Sequence, residues 1–188
     1  MEALQQLIFP GMGAGMNKTD LNALRQQIDE LDDQIHELLV ARFDVTARVA
    51  AAKGAQSDPS LIPRPVRERE ILERLRTRDS GLLPRGSMTR IWKEIMGAAC
   101  YQQGDFRVGV CAEAFSELSQ VAREHFGTAV PLEFGASSYL IDRLFDRNLA
   151  LLVFNLDHKL PVGLHQVGEL RSNGKVLGRL ISIHNLEA

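Results

Sequence analysis

Arg42 is the first residue that calls for a chemical explanation. It falls on the series Leu21, Leu24, Ile28, Leu31, Ile35, Leu38, Arg42, Val45, Val49, Ala52, whose alternating three- and four-residue steps trace one helical face. Nine of these ten positions are apolar, and the tenth is a guanidinium. A cation on a packed seam is costly unless an anion meets it. The pattern therefore implies an anion held between helices. Other polar groups continue apolar faces in the same way. Lys53 follows Arg42 by 11 residues, so on one helix the two point within about 20° of each other, roughly 16 Å apart along the axis. Arg67 and Glu68 precede the stripe Ile71, Leu72, Leu75 by one turn, and Gln103 extends the stripe Met88, Ile91, Trp92, Ile95, Ala99.

Long helices are needed to place these groups. Thr19 and Asp20 can cap a first helix over 20–53, and Gly54 can end it. At about 1.5 Å per residue this rod is roughly 50 Å long, more than a compact chain of this size covers. The seam is therefore expected to meet a second copy of itself in an antiparallel or intertwined homodimer. Arg25 and Arg42 are 17 residues apart, which turns their directions by about 100° and separates them by roughly 25 Å. They cannot share a small ligand on one straight helix, but in an antiparallel dimer Arg25 can reach the partner's site. A linker over 56–64 carries Pro59 and Pro63, Pro65 suits the first turn of a second helix to about Arg78, and a third helix runs from about Ser87 to Gln103. Each charge also has a plainer explanation. Arg25, Arg67 and Glu68 would be at home on a solvated face, and Lys53 can complement a helix C-terminus. Only the seam position of Arg42 resists that account.

The segment Leu24-Arg25-Gln26-Gln27-Ile28-Asp29-Glu30-Leu31-Asp32, followed by Ala41-Arg42, Lys53, Arg67-Glu68 and Gln103, resembles the all-helical class of chorismate mutases over roughly residues 17 to 103. The resemblance implies an intertwined three-helix dimer that rearranges chorismate to prephenate, an intramolecular pericyclic step without metal, cofactor or covalent intermediate. It implies that Arg42 and Arg25 of the second copy hold the two carboxylates, as bidentate pairing favours. Lys53 and Gln103 would donate to the ether oxygen, where charge develops. Glu68 would take the ring hydroxyl, and Arg67 would order the pocket. Two positions depart from the family. Arg64 stands where an acidic residue is usual, and Ala99, in the substrate-binding set, stands where a hydroxyl is common. Weaker binding is expected from both before any loss of chemistry. A glutamine at 103 donates at any pH, so little activity should be lost toward neutral pH. The same fold can serve pyruvate elimination from isochorismate, and the same pocket a non-catalytic metabolite-sensing or regulatory subunit.

Composition adds bounds. Twenty-two basic and 24 acidic side chains leave no field that suggests nucleic acid. The two cysteines, Cys100 and Cys111, form no disulfide framework. His158 and His165 lack a third ligand at suitable spacing, so no metal is expected. No apolar run spans a membrane, and the expected location is cytoplasmic. Residues 1–16 read as a flexible leader, with Met16 a possible second start. After Asp105 the pattern changes to alternating strands and helices. Strands are expected over 106–111, 130–134, 149–154 and 176–183, and helices over 115–126 and 138–147, the latter capped by Ser137. Asn173-Gly174 is a hairpin signal. The fold class is thus α+β multidomain, with a helical domain over 17–104 and a small α/β domain over 105–188. The start of the latter, Val108-Gly109-Val110 with Phe115-Ser116, is similar to the first lobe of prephenate dehydratase. Ala112-Glu113-Ala114 replaces the glycines of that family's loop, and neither its Thr-Arg-Phe string nor a second lobe follows. A structural or regulatory remnant is expected.

Overall fold

The structure, a computed structural model, describes residues 18–53, 65–78, 81–172 and 174–184. The expectations for the leader 1–16, for Gly54, for the linker 56–64 with Arg64, and for Asn173 lie outside the described residues. Two compact units divide the chain, one running through Val45 and the other starting at Thr46.

Helix α1 (Lys18–Lys53) supplies the described part of the first unit. No glycine or proline interrupts it, and Leu, Ala, Arg, Gln and Glu dominate its sequence, which favours an unbroken helix. It begins ahead of the expected caps, so positions 19 and 20 lie inside it. Asp20 falls in the first turn, where a carboxylate complements the helix dipole. The apolar seam is there as expected, but its side chains from Leu21 to Leu38 are 37% to 71% exposed.

In the second unit, α2 (Pro65–Arg76) opens on proline, whose missing amide hydrogen has no partner to lose in a first turn. Helix α3 (Arg85–Gln102) follows, with Met96, Gly97, Ala99 and Cys100 buried on one side. Strand β1 (Val108–Val110), helix α4 (Glu117–Phe126), strand β2 (Leu132–Phe134), helix α5 (Ser137–Phe145) and strand β3 (Leu151–Phe154) make two parallel crossovers. Strands β4 (His165–Ser172) and β5 (Lys175–Ser182) form a hairpin with Ser172 opposite Lys175, and Gly174 takes the positive φ of 79° that this turn demands. The sheet order is β2-β1-β3-β5-β4, with β5 antiparallel to both its neighbours. The expected strands and helices of this half are present, most with shorter ends; α5 and β5 each begin one residue early, and β4 was not anticipated. One detail differs: Ala136, not Ser137, occupies the N-cap position of α5 and makes no side-chain cap. Ser116 does cap α4, its Oγ accepting from the Ser119 amide at 3.3 Å.

The sheet separates two apolar clusters. Val108, Val110, Leu151 and Val153 point to one, where α4 supplies Leu118, Val121, Ala122 and Phe126. Leu152, Phe154 and Ile181 point to the other, with Leu140 and Leu144 of α5. The alternation follows from the two-residue period of a strand, and burial on both faces explains why β3 is apolar throughout. Cys100 of α3 belongs to the first cluster, so α3 packs on the same side of the sheet as α4. Gly97 makes that approach possible: a Cβ there would lie 1.8 Å from the Phe126 carbonyl oxygen. The Glu94 carboxylate then accepts from the Thr128 amide at 2.9 Å and its hydroxyl at 3.1 Å, tying α3 to the loop after α4. Among the described residues, no helix is long and apolar enough to cross a membrane.

Candidate active site

Arg25 and Arg42 both lie on α1 within the first unit. Arg25 is exposed and its guanidinium reaches the Asn22 side-chain oxygen at 3.4 Å, a long contact that leaves the group available to a stronger acceptor. Arg42 is half-buried. On this one continuous helix their 17-residue spacing corresponds to roughly 25 Å along the axis. Lys53 is the last residue of α1, and its side chain lies outside the described residues.

The remaining expected residues lie in the second unit. Arg67, in the first turn of α2, is exposed and paired with Glu70 at 2.9 Å. An exposed pair of this kind contributes at most about 1 kcal/mol, so it holds Arg67 only loosely. Glu68, the next residue, is half-buried and turns toward α3. Ala99 is buried, and Gln103 sits at the C-cap of α3, where its side-chain amide donates to the Ala99 carbonyl at 3.1 Å. The fold thus joins Ala99 to Gln103 and places Glu68 beside α3.

Two residues that sequence reasoning passed over stand next to Glu68. Lys93 of α3 and His125 of α4 line the same cavity, together with Met96, Gly97 and Phe126. Burial lowers the Lys93 pKa below the usual lysine value, against the carboxylates of Glu124 and Glu68, which favour its charged form. Burial, aided by the Lys93 charge, pushes His125 down to about 3, so its imidazole is neutral at ordinary pH. A signal for Lys93 was present. It lies three and four residues before Met96 and Gly97, on the side of α3 that turns inward. Nothing local marks His125, whose burial depends on the approach of α3 to α4.

With this geometry, the helical segment can offer guanidinium and ammonium groups to an anion and a carboxylate to a hydroxyl. Comparison with known proteins shows what this segment is similar to. Residues 24–104 match the family described as chorismate mutase type II. The chain is 30% identical over 119 residues to a bifunctional chorismate mutase/prephenate dehydratase of Stutzerimonas stutzeri, covering 61% of this chain and 33% of the relative. It is 29% identical over 112 residues to one of Aquifex aeolicus, covering 57% and 30%. It is 27% identical over 117 residues to one of Pseudomonas aeruginosa, covering 61% and 32%. The chain therefore spans about a third of the length of these curated relatives. A match over 61% of the chain is longer than residues 1–104 together, so the likeness extends past residue 104. No solved structure matches significantly. In helix order and in the spacing of its charged groups, the segment 24–104 is thus similar to the chorismate mutase type II family.

Proposed function

We propose that the protein is a homodimeric chorismate mutase of aromatic amino acid biosynthesis, with an appended α/β unit that does not carry a second activity. The observation that carries this reading is the family match over 24–104 with Arg25, Arg42 and Lys53 at their characteristic spacing. Chorismate presents two carboxylates, and a pericyclic rearrangement asks of its enzyme only the reactive conformer and stabilisation of charge on the breaking ether oxygen. Arg42 and Arg25 of a second copy hold the carboxylates. Lys53 and Gln103 donate to the ether oxygen, Glu68 accepts from the ring hydroxyl, and Arg67 orders the pocket. Ala99 has no hydroxyl to offer, but the Gln103 amide carries two hydrogens, so one can stay on the Ala99 carbonyl while the other meets the substrate. The exposed seam of α1 supports the dimer, because a continuous apolar face of this length requires cover.

The test is chorismate disappearance with the product identified, on the native sequence and on Lys53→Ala. Loss of an oriented donor to developing charge is expected to lower kcat by roughly a hundredfold, about 3 kcal/mol. Prephenate as product supports the reading. Pyruvate released from isochorismate would assign the chain to the elimination reaction instead, and chorismate binding without conversion would leave a sensor.

A further inference from the structure

The cavity beside Glu68 is larger than an ion pair needs. Between α2, α3, α4 and the hairpin β4–β5 it is a half-open cleft of about 830 Å³, within the range of small-molecule sites. Its charged lining comprises Arg69, Arg76, Lys93 and Arg171 against Glu68, Glu73 and Glu169. Arg76 is paired with Glu73 at 3.0 Å and Arg171 with Glu169 at 2.7 Å, which takes two of each sign out of play. Arg69 and Lys93 remain against Glu68, a residual charge of one positive unit among the lining groups. Glu124, which also acts on Lys93, lies outside the lining.

Beneath this mouth, Lys93 and His125 border a narrow apolar throat of about 30 Å³ between Met96, Phe126, Val167 and Leu180. His125 stacks edge-on against Phe126 with ring centroids 4.8 Å apart, and it lines both the throat and the wider cleft. A half-buried neutral imidazole at the wall of a cleft can offer a ligand one donor and one acceptor. Lys93 is likewise an ammonium removed from bulk water and facing open space.

We propose that this cavity is a ligand site for a small organic monoanion: an anionic head between Lys93, Arg69 and His125, and a compact apolar body over Val167 and Leu180 toward the throat. The α/β unit then has a binding role, since α4 and β4 supply one side of the site. Glu68 is common to this cavity and to the proposed mutase pocket, so occupancy is expected to raise the KM for chorismate. That coupling alone rests on the mutase reading.

The test titrates the full chain with sodium phenylacetate, followed by the His125 ring resonances in NMR, with phenethylamine as the cation of similar shape. Saturable shifts are expected with phenylacetate and not with phenethylamine. Lys93→Met should weaken binding by roughly tenfold or more, the loss of one charge-assisted contact, while Lys93→Arg should retain it. Arg42→Ala, which removes the proposed substrate carboxylate contact, should leave the titration in place. The inference is overturned by no saturable binding, by equal binding in a Lys93→Met chain with native circular dichroism, by preference for phenethylamine, or by loss of binding in Arg42→Ala. A chain that binds phenylacetate through Lys93 but turns over no chorismate would remove the mutase reading and leave this site standing.

Discussion

His125 shows how much a single residue can carry. Its neutral state in the fold is a consequence of burial and of the nearby Lys93 ammonium, which push its pKa down to about 3 from the usual 6.5. Between those values the unfolded chain binds the proton and the folded chain does not. The stabilising contribution is therefore fully present above pH 6.5 and is lost as pH falls toward 3. Replacing His125 with Gln should flatten the decline of the urea midpoint below pH 6.5, measured as a series of denaturation curves. An unchanged decline would place the acid sensitivity elsewhere. At the same scale, the charged positions of α1 and α2 were legible because helical spacing converts sequence number directly into direction. His125 was not, because no local pattern tells whether a second helix will cover it.

At the scale of elements, the junction of α3 with α4 is the decisive contact. Gly97 brings the α3 backbone against the Phe126 carbonyl, and Glu94 fastens the same junction through Thr128. A methyl group at 97 would meet backbone, which cannot rotate away as a side chain can. Gly97→Ala is therefore expected to destabilise the second unit by about 1–3 kcal/mol, read as a lower urea midpoint at unchanged slope. A neutral result would mean that the two helices separate at little cost. The individual helices, and the strands other than β4, were anticipated from apolar period and from Gly and Pro punctuation. The join between helical segment and sheet was not, since it depends on a missing side chain meeting a distant carbonyl.

At the scale of the whole molecule, the exposed seam of α1 bears on assembly. Carboxylates on that face, as in the double variant Ile28→Asp with Ile35→Asp, should give a monomer in sedimentation equilibrium and abolish turnover, while α1 keeps its helical signal. A dimer that survives this change would have its interface elsewhere. If the two copies share sites, mixing inactive Arg25→Ala with inactive Arg42→Ala chains should restore activity, because one of the two mixed sites recovers both arginines. No recovery despite demonstrated subunit exchange would count against an Arg25 contribution from the second copy.

The sequence by itself determined the long uninterrupted helix, the placement of Arg42 on its apolar face, the separation of Arg25 from Arg42, and the change to strand–helix alternation after Asp105. These follow from local periodicity and backbone geometry, which need no knowledge of distant residues. Only the tertiary structure decided that β5 lies between β3 and β4, that α3 shares a core with α4, and that Lys93, Glu68 and His125 meet around one cavity. Strand order and helix docking are set by which apolar faces cover each other. Those choices bring together residues whose own neighbours in the chain carry no sign of the meeting.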